Sequence, residues 1–301
     1  MKIALSGSTG FIGRHLAKTL KRYGHSVVPL YRGNFNRGIA HLAKLIDGCE
    51  AVINLAGAPI NRRWTASYKR TMVASRVETT RMLVEAMGRA ERRPRTFIST
   101  SAIGAFDIAG RYTEEDSPNA TDFLGRLAKE WESSAQLAEA LGIRTLIFRF
   151  ALVLGDEGGL MKQLLTPFRL GLGGPIGDGR QAFSWVHIDD VADAYLFALK
   201  VTSLKGVFHI AAPNPATNLE FTQTLGNALH RPTLFRVPHT LLKLMFGEGA
   251  SVMTSGQWVV SKRLPEEGFQ FRYPELELAV NDLVQRSKVS CGQPSLLNSD
   301  N

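Results

Sequence analysis

Three glycines near the start of the chain form the pattern that is best suited to binding chemistry. Gly7, Gly10 and Gly13 follow the apolar run Ile3–Leu5 and precede apolar residues at helical spacing. A strand, a glycine turn and a helix in this order direct backbone N–H groups and the positive end of the helix dipole at a pyrophosphate. Although the spacing is G-x-x-G-x-x-G and glycines also occur in ordinary turns, we interpret this turn as a dinucleotide site. Its other predicted contacts are Thr9, Phe11 and Ile12.

The residue after the second predicted strand indicates which nicotinamide cofactor would bind. In NAD-binding units, a carboxylate about 20 residues past the glycines holds the ribose 2′-hydroxyl. Here that position is Arg32, and no acidic residue precedes Asp47. The Arg32 guanidinium, with help from Arg37, can pair with the 2′-phosphate of NADP. We therefore predict NADP(H) as the cofactor, the alternative being that Arg32 is a solvated turn residue.

The elements that must position these residues alternate between strands and helices. Apolar runs at 51–57, 96–101 and 144–150 are separated by helical patterns near 67–89 and 124–141. This alternation predicts an α/β fold with a Rossmann-type, doubly wound parallel sheet. Ligands of such sheets lie outside the carboxyl ends of the strands. The cofactor contacts expected there are Leu55, Ala56, Gly57, Phe150 and Ala151.

The pattern of strands and helices also suggests how the chain is divided. Residues 1–154 with 183–212 are predicted to form the NADP-binding Rossmann domain. Glycine-rich loops and short proline-bounded segments predict a smaller C-terminal α/β lobe, residues 155–182 with 213–284, that would hold the substrate. The polar tail, residues 285–301, is predicted to be disordered.

Composition and charge limit the location and the partners of the protein. The net charge of +9 is spread along the chain without a nucleic-acid-binding motif, so we favour a basic surface that attracts an anionic cofactor. Cys49 and Cys291 do not make a disulfide framework, and the chain opens directly on its first strand without room for a signal peptide. No apolar run approaches membrane-spanning length. These features predict a cytoplasmic protein.

Several longer motifs resemble a known family. NLAG (Asn54–Gly57), STSAIG (Ser99–Gly104) and SWVHIDDVADA (from Ser184) resemble the extended short-chain dehydrogenases/reductases. PINRRWT, SRVETT, APNPATNLEFT and SGQWVVSKRLPEEGFQFRYP are similar, more narrowly, to its atypical, sugar-epimerase-like branch, which has a C-terminal domain of unknown function. The resemblance spans residues 1–284. It implies a Rossmann domain that binds NADP(H) and a small C-terminal substrate domain.

The same resemblance implies a catalytic pair that this chain lacks. In the superfamily, a Tyr and a Lys four residues later exchange a proton with the substrate oxygen, since the Lys cation lowers the Tyr pKa. None of the six tyrosines here has Lys at that spacing. In the corresponding helix, which begins near Phe123 and Leu124, Lys129 remains as the lysine only if Gly125 replaces the Tyr. A solvated lysine is the simpler interpretation.

Other side chains are candidates for catalysis. The resemblance gives Ser101 the position of the hydroxyl that orients the reacting oxygen, the alternative being a local backbone cap. Tyr112, in the following loop, would reach the nicotinamide face. His187 with Asp189 and Asp190 suggests acid/base chemistry or a metal, but we favour a helix cap by one of the aspartates and predict no metal site.

Together these features predict an NADP(H)-dependent oxidoreductase or epimerase-like enzyme. Its substrate would be an unidentified small carbonyl, alcohol or sugar-type molecule. Because the Tyr-Lys pair is missing, an NADP(H)-binding sensor or assembly protein without turnover is the alternative. We expect a small-molecule substrate as partner and neither nucleic acid nor a membrane, and the sequence leaves a homodimer open.

Overall fold

Strands and helices alternate through residues 1–292, which are the residues that the computed structural model describes. The strands are β1 (Lys2–Ser6), β2 (Ser26–Leu30), β3 (Ala51–Asn54), β4 (Thr96–Ala102), β5 (Arg111–Tyr112), β6 (Arg144–Phe150), β7 (Leu152–Leu154), β8 (Ala182–Phe183), β9 (Trp185–His187), β10 (Gly206–Ile210), β11 (Ala216–Thr217) and β12 (Trp258–Val259). The α-helices are α1 (Phe11–Arg22), α2 (Arg32–Phe35), α3 (Ile39–Ile46), α4 (Ala66–Val73), α5 (Thr79–Arg89), α6 (Phe123–Gln136), α7 (Gly159–Arg169), α8 (Ile188–Lys200), α9 (Asn218–Leu229), α10 (His239–Phe246), α11 (Ser251–Thr254), α12 (Arg263–Glu266) and α13 (Leu276–Gly292).

Six of the strands form one parallel sheet in the order β10-β6-β4-β3-β1-β2. From β1 the chain moves to β2 on one side and then to β3 on the other, so the strand order reverses between β1 and β3. In open α/β sheets, ligands bind at such a switch point, outside the carboxyl ends of the strands. The sheet confirms the predicted Rossmann-type α/β fold.

Helices cover both faces of this sheet. Leu16 and Leu20 of α1 and Tyr195 of α8 are buried against one face. Leu42 of α3 and Leu83 of α5 are buried against the other face, together with residues of α6. Strands that are buried on both faces read as continuous apolar runs, which is why the sequence predicted them well.

The segments 155–182 and 213–284 pack together beside the sheet. Helices α7, α9 and α13 share an apolar cluster with Phe183, Trp185 and Phe221. The rings of Phe183 and Phe221 stack with their centroids 4.2 Å apart. Strand β12 pairs with β5, in the loop that follows the carboxyl end of β4. This association fits the predicted smaller lobe, whose boundaries stay a prediction.

The end of the chain differs from the sequence prediction. Helix α13 continues to Gly292, so the prediction of disorder from residue 285 is wrong as far as residue 292. Beyond the buried Val284, Ser287 is also buried and accepts a hydrogen bond of 2.7 Å from Arg169 of α7, so packing continues past the point where local polarity suggests an end. Residues 293–301 lie outside the described residues. Within residues 1–292, no helix is long and apolar enough to cross a membrane.

Candidate cofactor and substrate site

The glycine turn lies at the switch point, and its glycines pack closely against neighbouring backbone. Gly7 has a φ of +70°, and a Cβ at this residue would lie 2.5 Å from the carbonyl oxygen of Leu55. A Cβ at Gly13 would lie 2.1 Å from the carbonyl oxygen of Gly7. Only glycine therefore lets the turn sit this close to β3 and to α1. Helix α1 begins after Gly10 with no side-chain cap and no acidic residue in its first turn, which leaves its N-terminal N–H groups to an anion.

The other predicted residues of the turn have distinct surroundings. Thr9 is exposed, and the side-chain oxygen of Ser8 is buried with no hydrogen-bond partner among the described residues. The Phe11 ring packs against the glycines of the loop after β7, where a Cβ at Gly155 would lie 2.5 Å from it. Ile12 is partly buried against the core. The side chains of Phe11 and Ile12 therefore anchor α1, and their backbone N–H groups remain the predicted cofactor contacts.

A chain of buried hydrogen bonds fixes the carboxyl end of β3 next to the turn. Ser6 Oγ donates to Asn54 Oδ1 over 2.6 Å, and the N–H of Ala56 donates to the same oxygen over 3.2 Å. Asn54 Nδ2 donates to Thr80 Oγ1 over 2.8 Å. This places the predicted residues Leu55, Ala56 and Gly57 at the crevice between β1 and β3. Sequence reasoning missed Asn54 and Thr80, although a polar residue that ends a buried strand is a signal for such a network.

Arg32 lies at the same edge of the sheet. It is the first residue of α2 and follows β2, the strand that pairs with β1. The side chain is exposed and makes no hydrogen bond or ion pair with another of the described residues. The guanidinium is therefore available to an anion beside the glycine turn.

On the other side of the crevice, Ser101, Arg149 and His209 form a polar row across β4, β6 and β10. Arg149 pairs in register with both of the other residues. Ser101 Oγ donates to Glu132 Oε1 of α6 over 2.6 Å, and Arg149 donates to both oxygens of Glu132 over 2.8 and 2.7 Å. All four side chains are buried. Sequence reasoning missed Glu132, Arg149 and His209, although a single charge inside an apolar strand or helix face signals a buried partner.

His209 holds the outer end of this polar row. Its Nδ1 lies 3.0 Å from the carbonyl oxygen of Val260, which only a protonated nitrogen can contact favourably. Burial lowers the pKa of His209, so the ring is neutral and Nε2 carries a lone pair. This Nε2 atom is buried and has no partner within the described part of the chain. His209 Nε2 is therefore a buried hydrogen-bond acceptor without a donor among the described residues, near the carboxyl end of β10.

The position of Tyr112 does not support the predicted catalytic role. Its hydroxyl donates to Asp107 and accepts a hydrogen bond of 3.0 Å from Asn119 Nδ2. The bond to Asp107 raises the pKa of the phenol, because a phenolate could no longer donate this hydrogen bond to the carboxylate. These contacts fasten Tyr112 to its own loop and do not support acid/base catalysis, so its catalytic role stays a prediction. Its ring stacks on Phe106 with centroids 4.5 Å apart.

Other predicted residues lie on β6, directly after it, or on α6. Phe150 is buried and its ring contacts Tyr195 on the α8 face of the sheet, whereas Ala151 packs near Ala128 of α6. Lys129 lies on the exposed side of α6, as the simpler interpretation predicted. Gly125 cannot carry a side chain there, since a Cβ would lie 2.2 Å from the carbonyl oxygen of Ala120. Phe150 and Ala151 stay predictions as cofactor contacts through their backbone.

His187 itself caps helix α8, where the sequence suggested Asp189 or Asp190. Its Nδ1 accepts the N–H of Asp189 over 3.1 Å, and its Nε2 lies 3.1 Å from Asp282 of α13. Burial lowers the pKa of His187 to about 4, so the ring is neutral near pH 7. No group of three His, Cys, Asp or Glu side chains among residues 1–292 is arranged to hold a metal ion.

Comparison with known proteins identifies the family. A model described as the NAD dependent epimerase/dehydratase family matches residues 3–211. The chain belongs to this family. A second model, a domain of unknown function termed DUF1731, matches residues 237–283. Both matches confirm the resemblance to the extended short-chain dehydrogenases/reductases and to the branch with a C-terminal domain of unknown function.

Relatives of similar length occur in animals and bacteria. The chain is 37% identical to the mouse epimerase family protein SDR39U1, covering 94% of this chain and 100% of the relative. It is 34% identical to the epimerase family protein YfhF of Bacillus subtilis, covering 96% and 99%. The crystal structure of human SDR39U1 with NADPH superposes with a TM-score of 0.87 at 33% identity and covers 95% of this chain and 99% of that chain. NADPH in this epimerase family relative agrees with the predicted cofactor.

Proposed function

We propose that this epimerase family protein is an NADP(H)-dependent oxidoreductase or epimerase-type enzyme that acts on a small alcohol, carbonyl or sugar-type molecule. One observation carries the proposal: the glycine turn, whose glycines leave no room for a Cβ, lies at the switch point beside an unpaired Arg32. The residues fit the cofactor, since the turn leaves N–H groups for a pyrophosphate and Arg32 matches a 2′-phosphate. NADPH in human SDR39U1 supports this assignment. When bound, NADP(H) supplies or accepts a hydride.

The proton partner of this reaction is assigned to Ser101 and Glu132. Ser101 has one hydroxyl proton, which is directed at Glu132, so its oxygen can accept a hydrogen bond from a substrate hydroxyl. In the oxidative direction, Ser101 would take the alcohol proton and pass its own proton to Glu132 while the substrate carbon loses a hydride. In the reductive direction the same path would run backwards: Ser101 would donate its proton to the carbonyl oxygen that receives the hydride and would take a proton from Glu132.

Two measurements test the proposal. Calorimetric titration of the purified protein should show a clear preference for NADPH over NADH. NADPH deuterated at C4 of the nicotinamide, incubated with a panel of carbonyl compounds and nucleotide sugars, should yield a product that carries deuterium. Epimerisation would instead interconvert epimers with a catalytic amount of NADP⁺ and no net cofactor consumption. If neither NADPH nor NADH binds, the proposal is contradicted.

A second candidate function is an NADP(H)-binding sensor or assembly protein without turnover. It is favoured because both candidate hydroxyls already donate hydrogen bonds within the protein, Ser101 to Glu132 and Tyr112 to Asp107. Cofactor binding with no hydride exchange over the whole panel would favour this candidate.

Arg32→Ala tests the choice of cofactor. We expect NADPH binding to weaken by about 1–3 kcal/mol, since a charge-assisted pair with the 2′-phosphate is lost, and NADH binding to remain nearly unchanged. Calorimetric titration of both cofactors provides the measurement, with NADH as the internal control. Equal losses for the two cofactors would exclude a 2′-phosphate contact.

Ser101→Ala tests the proton partner. We expect turnover of the substrate found in the panel to fall by about 10²–10⁴-fold while NADPH affinity holds. Thr100→Val is the matched control, because Thr100 is the neighbouring hydroxyl on the opposite face of β4, 3.1 Å from the Tyr195 hydroxyl. If Ser101→Ala turns over like the unmodified protein, Ser101 has no part in the mechanism.

A further inference from the structure

A π-helix interrupts the helical segment that follows β3. It covers Ala74–Glu78, between α4 and α5, and the N–H of Thr79 bonds to the carbonyl of Ala74, five residues back. Such bulges are rare and occur frequently at functional sites. The residue at the centre of this one is Arg76.

The π-helix places the Arg76 guanidinium against the crevice. A Cβ on Gly57, which follows β3 at the switch point, would lie 3.1 Å from its Cζ atom. On another side, Cζ lies 5.3 Å from the centroid of the Trp131 ring of α6. The guanidinium is therefore held between the backbone of a predicted cofactor residue and an aromatic ring, where its position is well defined.

Arg76 has few acceptors for its charge. Its Nη2 donates to the carbonyl of Ala58 over 2.9 Å and its Nη1 to that of Met72 over 3.4 Å. No carboxylate among the described residues forms an ion pair with it. Burial lowers the pKa of Arg76 to about 10, so the side chain is still a cation near pH 7. A partly buried cation that has no carboxylate and only two carbonyl acceptors is better stabilised when an anion completes the site.

Two other arginines of this fold have more hydrogen-bond acceptors, or a carboxylate, for their guanidinium groups. Arg149 pairs with both oxygens of Glu132. Arg144 has no carboxylate, but it donates to three carbonyl oxygens and the hydroxyl of Thr96. It lies where β6 begins, far from the carboxyl ends of the strands. Arg76 differs from both, because it has two acceptors and borders the crevice.

The surroundings of Arg76 are fixed by the network at the end of β3. Thr80 Oγ1 donates to the carbonyl of Arg76 over 2.6 Å and accepts hydrogen bonds from Asn54 and from Trp131 Nε1. The same hydroxyl thus ties the backbone of Arg76 and the Trp131 ring to the last residue of β3. A cation that is held in place before a ligand arrives costs little ordering entropy on binding.

We propose that Arg76 binds an anionic oxygen group, a phosphate or a carboxylate, of a ligand in this crevice. The inference deepens the proposed function. It rests on that function in one respect, because it takes the same crevice as the ligand site. Two sources carry this chemistry, the pyrophosphate of the cofactor and an acidic group of the substrate. The test separates the two sources.

Titrations of Arg76→Met, with Arg76→Lys as a conservative variant that keeps the charge, test the proposal without a need for turnover. If the anion belongs to the cofactor, Arg76→Met binds NADPH and NADH at least tenfold more weakly, by equal factors, in contrast to Arg32→Ala. If it belongs to a second ligand, cofactor affinity holds, but inorganic phosphate or malonate binds the NADPH-saturated variant at least tenfold more weakly than the unmodified protein. Arg70→Met, an exposed arginine of α4, is the matched control.

Unchanged affinities for both cofactors and both anions would overturn the proposal. Thermal unfolding of Arg76→Met adds an independent readout: we expect a midpoint close to that of the unmodified protein, because the loss of two carbonyl hydrogen bonds and the Trp131 contact is offset by removal of a partly buried charge. A lower midpoint with unchanged affinities would identify a structural arginine and also overturn the proposal. If the protein binds these anions through Arg76 but transfers no hydride, the anion site is supported and the proposed enzymatic function is contradicted.

Discussion

Glu132→Ala should destabilise the folded protein by about 3–5 kcal/mol. The substitution leaves the guanidinium of Arg149 buried without its carboxylate and deprives the Ser101 hydroxyl of its acceptor. Arg149 and Ser101 are both buried, so water cannot replace the interactions that they lose. Urea unfolding followed by circular dichroism measures the change in the free energy of unfolding.

Two further variants make this prediction specific. Glu130→Ala removes an exposed carboxylate two residues earlier on α6 and should change the free energy of unfolding by less than about 0.5 kcal/mol. The double substitution of Glu132→Leu and Arg149→Met should recover much of the loss, because apolar replacements of a buried ion pair leave no uncompensated charge. A Glu132→Ala protein as stable as Glu130→Ala would show that the pair is not buried as described.

Gly13→Ala should weaken NADPH binding by about 100-fold or more, which is about 2.8 kcal/mol. The added Cβ would lie 2.1 Å from the carbonyl oxygen of Gly7, so the turn must open and its N–H groups must leave the positions that suit a pyrophosphate. Because the collision also strains the packing of α1 on β1, we expect a stability loss of about 1–3 kcal/mol. Calorimetric titration and unfolding on the same sample separate the two effects.

Gly88→Ala is the matched control for this substitution. A Cβ at Gly88, in α5, would meet only the flexible end of Leu141 at 3.3 Å, and alanine favours a helix. NADPH affinity should therefore be unchanged. If Gly13→Ala binds NADPH as tightly as Gly88→Ala does, the glycine turn does not hold the cofactor.

The cofactor half of the candidate site could be predicted from the sequence because its determinants are local. Gly7 and Gly13 lie a few residues from the strand and helix that they connect, so their spacing alone predicts the turn. The identity of Arg32, at the end of the next strand, also needs no tertiary information. The lack of a Tyr-Lys pair is likewise a fact of spacing within one helix.

The reactive half of the site depends on contacts between distant segments. Ser101 is recognisable in its motif, but its proton acceptor, Glu132, follows 31 residues later, and only the register of β4 beside β6 places Arg149 next to both. The sequence offered Tyr112 as a catalytic candidate because neither Asp107 nor Asn119 reveals that the loop folds back on the phenol.

The sequence by itself determined the parallel sheet, the glycine turn, the family and the loss of the usual acid/base pair, since period, spacing and residue type report local geometry and burial. The tertiary structure alone decided which polar groups are free. It paired Ser101 and Arg149 with Glu132, closed Tyr112 into its loop, made His187 the cap of α8 and continued α13 past residue 285. It also left Arg76 beside the crevice with two acceptors. The physical reason is that hydrogen bonds and ion pairs between distant segments depend on how whole elements pack, which no local pattern encodes.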